Sequence, residues 1–232
     1  MDRPGGPLAS RPLHFIWIAD CSGSMDTGGK IQSLNTAIRE ALPNMREVAH
    51  DNPNARVLIR VIAFSSGAHW VVPEPVPVER FTWTDLTAGG VTDLGRALSM
   101  VSEVLTVPPM SSRALQPVLV LVSDGHPTDD WQRGLAELRQ QPWGAKSICL
   151  SLAIGRDADY QVLQEFIGHD GARPLTANNA AELVELIRWV STAPLKLASN
   201  PRIASHTDGY AAPIFTPINV APTTADIASV VW

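Results

Sequence analysis

From His14 onward the chain alternates short apolar runs with longer segments whose apolar residues return every three or four positions, and few architectures accept that alternation. The first run, Phe15-Ile16-Trp17-Ile18-Ala19, is apolar at successive positions, as a strand covered on both faces must be. This predicts an α/β domain: a doubly wound, mostly parallel central sheet with helices on both faces.

Ile31, Leu34, Ile38, Leu42, Met45 and Val48 place one apolar stripe on a first helix that ends before Pro53. Val57 to Phe64 reads as a second strand. Trp70 to Phe81 contains Pro73, Pro75 and Pro77, which confine it to an antiparallel edge strand, hairpin or loop, because proline cannot donate to a central ladder. Leu94, Leu98, Val101 and Leu105 mark the next helix, and Val118 to Val122 a strand that runs into Ser123-Asp124-Gly125. Thr128 is placed to cap a helix with Asp129 and Asp130 in its first turn, ending at Gln141. Ile148 to Ile154 is a strand, Tyr160, Leu163 and Ile167 give a short helix closed by Gly168, and a weak strand is expected over Ala172 to Leu175. Asn179 and Glu182 have capping-box spacing for a last helix ending near Thr192.

The expected organisation is therefore a flexible stretch over 1–12, one folded domain over 13–193 and a tail over 194–232. The tail carries Pro194, Pro201, Pro213, Pro217 and Pro222 without sustained periodicity, yet also Tyr210, Ile214, Phe215 and Val230-Val231-Trp232. It reads equally as a mobile segment or as one that docks on its own domain or on a partner, acting as an internal ligand or assembly element.

Composition narrows the function. At 232 residues the chain suits one domain, and its net charge of −5, with no run of Lys or Arg, argues against nucleic acid or anionic lipid as partner. The first eleven residues lack an apolar leader and no window reaches transmembrane length, so a soluble, unexported chain is expected. Its two cysteines, one in an apolar run, suggest neither a disulfide framework nor a thiolate metal site, which fits the cytoplasm.

Chemistry concentrates where strands end. Asp20, Ser22 and Ser24 alternate just beyond the first strand, so their oxygens can turn toward one point above the sheet. Such a turn is often only a helix cap. Two further oxygen clusters occupy comparable places, however: Thr92-Asp93-Leu94-Gly95 at a helix start and Asp124-Gly125 after the fourth strand. Ligands of open α/β sheets bind beyond the carboxyl ends of strands where strand order reverses, and the first and fourth strands would flank that point. Hydroxyl and carboxylate oxygens suit Mg²⁺, Mn²⁺ or Ca²⁺, whereas zinc more often takes Cys or His.

Asp20-x-Ser22-x-Ser24, Thr92 within Thr-Asp-x-Gly, and Asp124-Gly125 together resemble the metal-ion-dependent adhesion site of the von Willebrand factor A family, over about residues 13 to 192. The resemblance implies that Ser22, Ser24 and Thr92 ligate an ion directly, that Asp20 and Asp124 act through water, and that one position stays open for an Asp or Glu of a protein partner. Asp124-Gly-His-Pro127-Thr128-Asp129-Asp130-Trp131, with Trp189-Val190-Ser191, is further similar to the bacterial TerY-like subgroup, named for tellurium resistance. That narrower resemblance implies a protein kinase and a PP2C-type phosphatase as partners. Cys21 in place of the more usual Thr and His126 in place of an acidic residue depart from the pattern without removing a ligand.

Other chemistries fit less well. Ser24 to Lys30 fails the phosphate-loop pattern, because Ser24 stands where glycine is required and Ile31 follows Lys30. Lys30 is therefore expected to be a solvated helix residue. An aspartyl phosphatase would want a carboxylate where Ser22 stands, and no Gly-x-Ser-x-Gly elbow supports a serine hydrolase. A metal-dependent phosphoester hydrolase is the alternative to a non-catalytic binding module. His126 is expected to be an ordinary loop residue, Cys21 a packed small residue, and Trp17, Trp131 and Trp189 packing residues; Trp70 and Trp83 suit either edge packing or a partner surface.

Overall fold

The computed structural model describes residues 10–169 and 172–198. Its elements are β1 (Arg11–Asp20), α1 (Lys30–His50), β2 (Ala55–Ser65), β3 (Gly67–Pro77), α2 (Leu94–Val104), β4 (Val118–Ser123), α3 (Trp131–Gln140), β5 (Ile148–Ile154), α4 (Tyr160–Ile167), β6 (Leu175–Ala177) and α5 (Ala180–Ala198).

The six strands form one sheet in the order β3-β2-β1-β4-β5-β6. β1 pairs in parallel with β2 and β4, β4 with β5, and β5 with β6; only β3, at the edge, runs antiparallel to its neighbour β2. This is the doubly wound architecture with one antiparallel edge strand expected from the sequence. The prolines of β3 sit where their missing N–H groups cost no central ladder bond.

Successive residues of the central strands feed two cores. Phe15, Trp17 and Ala19 join the cluster shared with Ile31, Leu34, Ile38 and Met45 of α1 and Leu183, Ile187 and Val190 of α5. Ile16 and Ile18 face the opposite cluster, with Leu94, Leu98 and Val101 of α2, Leu135 and Leu138 of α3 and Leu163 and Phe166 of α4. Burial on both faces explains why β1 is apolar at every position from Phe15 to Ala19. Trp131 is buried and Trp189 packs on the first core, and Trp83 Nε1 donates to Asn35 Oδ1 at 3.0 Å, so Trp83 serves edge packing.

Some boundaries differ from expectation. α5 continues through Pro194 to Ala198 rather than stopping near Thr192. Leu195 is buried against the first core, and that apolar contact carries the helix past the proline. β6 lies two to three residues later than the strand expected over Ala172 to Leu175. The expected tail from residue 199 onward and the stretch over 1–9 lie outside the described residues. Among the described residues, no helix is long and apolar enough to cross a membrane.

Candidate metal centre

β1 and β4 are neighbours at the middle of the sheet, and strand order departs from β1 in opposite directions on its two sides. Their carboxyl ends bring Asp20 and Ser123-Asp124 together. Beyond Asp20 the chain enters a 3₁₀ segment, Gly23–Gly29, before α1 begins. Ser22 makes no side-chain cap bond there, so its hydroxyl is not consumed as a helix cap.

The loops are sewn together by the backbone. Cys21 N–H donates to Phe64 O at 2.8 Å, Gly89 N–H to Cys21 O at 2.8 Å, and Gly23 N–H to Gly90 O at 3.0 Å. Thr128 N–H donates to Thr92 O at 2.8 Å, which ties the loop after β4 to the start of α2.

The side chains converge in one hydrogen-bonded array. Ser22 N–H donates to Asp20 Oδ1 at 2.7 Å, and Ser123 Oγ donates to Asp20 Oδ2. Ser24 Oγ donates to Asp124 Oδ1 at 2.7 Å and lies 2.9 Å from Ser22 Oγ. Ser24 has one hydroxyl proton, which it gives to Asp124; Ser22 therefore donates to Ser24. The protons run toward the carboxylates and leave hydroxyl lone pairs for a cation.

Gly125 locates the common point. A side-chain carbon placed on it would stand 3.3 Å from Ser24 Oγ, 3.6 Å from Thr92 Oγ1 and 3.8 Å from Asp20 Oδ2. Of the five residues expected from the sequence, Asp20, Ser24 and Thr92 thus border one small cradle, and Ser22 and Asp124 join it through their hydrogen bonds with Ser24. Asp20, Ser22, Thr92 and Asp124 are buried while Ser24 is exposed, giving a closed floor with one open side. Burial pushes the Asp20 carboxyl above its usual range, against the hydrogen bonds from Ser123 and Ser22 that pull it down. An ionised carboxylate held this deep gains from a nearby cation, so the donor set fits a hard divalent ion. Among the described residues no three His, Cys, Asp or Glu side chains gather as a metal cluster, so an ion held here would need the hydroxyls as ligands.

Lys30 corrects the sequence reading. It is buried rather than solvated, and its Nζ lies 2.7 Å from Asp124 Oδ2. Gly28 and Gly29, both left-handed at φ +64° and +73°, turn the chain so that α1 begins at Lys30 beside the cradle. The lysine's position after a failed phosphate-loop pattern gave no sign of this, because the carboxylate it meets is distant in sequence.

Thr128 and its neighbours also act differently from expectation. Asp130 caps α3 by accepting from Arg133 N–H, whereas Asp129 caps α2, accepting from Gly95 N–H at 2.8 Å and Arg96 N–H at 2.9 Å. Thr128 Oγ1 accepts from Thr92 N–H and donates to Asp93 Oδ1, and Asp93 Oδ2 accepts from Gly67 N–H at 2.7 Å. These residues brace Thr92 without bordering the cradle.

His126 is exposed, and its Nδ1 is 2.8 Å from Asp159 Oδ2. Cys21 is packed as expected, with burial pushing its thiol up to about 12.

The family model described as von Willebrand factor type A domain matches residues 16–188. No curated protein matches the chain. Among solved structures, a von Willebrand factor type A protein from Catenulispora acidiphila is similar at 20% identity and a TM-score of 0.59, over 82% of this chain and 43% of that one. The ArnB paralog VWA2 from Sulfolobus acidocaldarius is similar at 16% identity and a TM-score of 0.55, over 76% of this chain and 44% of that one. Proximal thread matrix protein 1 from the mussel byssus, in a form with a zinc-occupied MIDAS motif, is similar at 19% identity and a TM-score of 0.59, over 78% of this chain and 48% of that one. The chain thus spans less than half the length of each of these structures.

Proposed function

This chain belongs to the von Willebrand factor type A domain family, and we propose that it is a non-catalytic module that binds a protein partner through a divalent cation. The observation that carries this reading is the cradle at Gly125, where Ser24, Thr92 and Asp20 oxygens face one point. Ser22, Ser24 and Thr92 would hold the ion through their hydroxyls, and Asp20 and Asp124 would hold its water ligands. When bound, the ion supplies an open Lewis-acidic position for an Asp or Glu of the partner. Asp124 orients the Ser24 hydroxyl by accepting its proton, Ser24 in turn accepts from Ser22, and Asp20 fixes the turn by accepting from the Ser22 amide and the Ser123 hydroxyl, while the buried floor keeps bulk water from all but one side.

Mg²⁺ is the ion favoured by the hard oxygen set, with Mn²⁺ and Ca²⁺ as substitutes; the zinc in the mussel protein places Zn²⁺ in the same trial. We assign the chain to a TerY-like, tellurium-resistance-type system of the bacterial cytoplasm, with a protein kinase and a PP2C-type phosphatase as the partners to try first. Support for this comes from the Asp124 to Trp131 segment and from two free cysteines. Affinity capture with Mg²⁺, with EDTA, and with Asp20→Ala or Ser22→Ala tests the reading. Capture should require both the ion and the intact site; equal capture under all conditions rejects it.

One observation favours a second reading, metal-dependent phosphoester hydrolysis. His126 stands two residues beyond Asp124 with Nδ1 on Asp159, which leaves Nε2 free to act as a base. Multiple turnovers of a phosphoester by pure protein with Mg²⁺, lost in both Asp124→Ala and His126→Ala, would establish hydrolysis in place of simple binding.

A further inference from the structure

Lys30 and Asp124 form an ion pair whose side chains are 8% and 0% exposed. A buried ammonium is costly unless a carboxylate compensates it, and each partner here removes that cost from the other. Asp124 divides its two oxygens between Lys30 and the Ser24 hydroxyl, so the lysine also sets which oxygen faces the cradle. Around the cradle two buried carboxylates face one buried ammonium, a net charge of one negative unit. A divalent ion would turn this into one net positive unit, the charge that a single partner carboxylate neutralises.

Resting on the cation-binding reading above, we propose that Lys30 is the resident cation of this site: it supports the fold without an ion, restrains divalent-ion affinity in the free protein, and couples ion binding to capture of an acidic partner. The coupling is reciprocal. A carboxylate that offsets the surplus positive charge tightens the ion, and the ion tightens the carboxylate by the same factor. Without Lys30 the loaded site would be neutral before any partner arrived, and the electrostatic advantage of an acidic partner would shrink.

Calorimetric titration of Mn²⁺ into wild-type protein, Lys30→Met and Lys30→Arg, with thermal melts in Mn²⁺ and in EDTA, tests the proposal. Lys30→Met should bind Mn²⁺ about tenfold more tightly, the repulsion expected between a monovalent and a divalent cation a few ångströms apart under strong solvent screening. It should melt lower than wild type in EDTA and gain more from Mn²⁺, while Lys30→Arg follows wild type. Mn²⁺ affinity in Lys30→Met equal to or weaker than wild type overturns the proposal. If only Lys30→Met binds Mn²⁺, the role of Lys30 stands and the cation-binding function of the wild-type protein falls; if neither binds, both fall. Should Lys30→Met be unfolded in EDTA, refolding on Mn²⁺ addition supports the proposal and failure to refold overturns it.

Discussion

Two buried ionisable side chains make opposite demands on this protein. Asp20, with no exposed surface, is held by Ser123 and the Ser22 amide at the site; His14, 5% exposed, lies at the start of β1 beside Arg60, whose Nη1 is 3.5 Å from His14 Nδ1. Burial first, and the Arg60 charge second, lower the His14 pKa from 6.5 to about 4. The folded protein therefore prefers neutral His14, and this contribution is present above pH 6.5 and lost as pH falls toward 4. Urea unfolding at pH 7 and pH 5 should show lower stability at pH 5, and His14→Gln should flatten that difference; an unchanged slope contradicts this reading. Ser123→Ala removes a bond that lowers the Asp20 pKa, so protons compete with a cation at higher pH. The pH midpoint of Mn²⁺ binding should rise in this variant, and the fold should lose about 1–3 kcal/mol. Asp20 and Asp124 were legible from their places at strand ends and Thr92 from its place at a helix start, but the turn holding Ser22 and Ser24 read equally as a helix cap until the family resemblance joined all five. Lys30 and Ser123 were not, since each acts on a carboxylate about a hundred residues distant in the chain.

Elements were legible where one apolar pattern decided them. β1 carries the apolar run Phe15 to Ala19, β4 the run Val118 to Val122, and β5 is apolar but for Ser151, while α1 follows the stripe from Ile31 to Val48. Ends were less legible, because a neighbouring element decides them. α5 outlasts Pro194 through Leu195, and Thr128 serves loops rather than its own helix because Asp93 and Thr92 lie within its reach. The α2–α3 contact depends on two small residues. A side-chain carbon on Gly134 would lie 2.5 Å from Gly95 O, too close for the helices to keep their separation. Gly134→Ala should cost about 1–3 kcal/mol in urea unfolding. It should also weaken Mn²⁺ binding by displacing Asp129 from the start of α2, next to Thr92. Wild-type Mn²⁺ affinity in a destabilised Gly134→Ala protein would separate the helix contact from the site.

At the scale of the whole molecule, the sheet order β3-β2-β1-β4-β5-β6 explains why residues as far apart as Asp20, Thr92 and Asp124 share one cradle. The strand on each side of the switch contributes a carboxylate, and the crossover to α2 supplies the threonine. The rigid sheet fixes the carboxylates, while the loops above it leave Ser24 open to solvent, a division suited to binding a partner. The central claim is that these oxygens hold a divalent ion. Calorimetric titration of Mn²⁺ into wild-type protein and into the folded double variant Ser22→Ala, Ser24→Ala tests it most directly. One ion per wild-type chain and none in the variant is the expected result; equal binding by both, or none by the wild type, contradicts it.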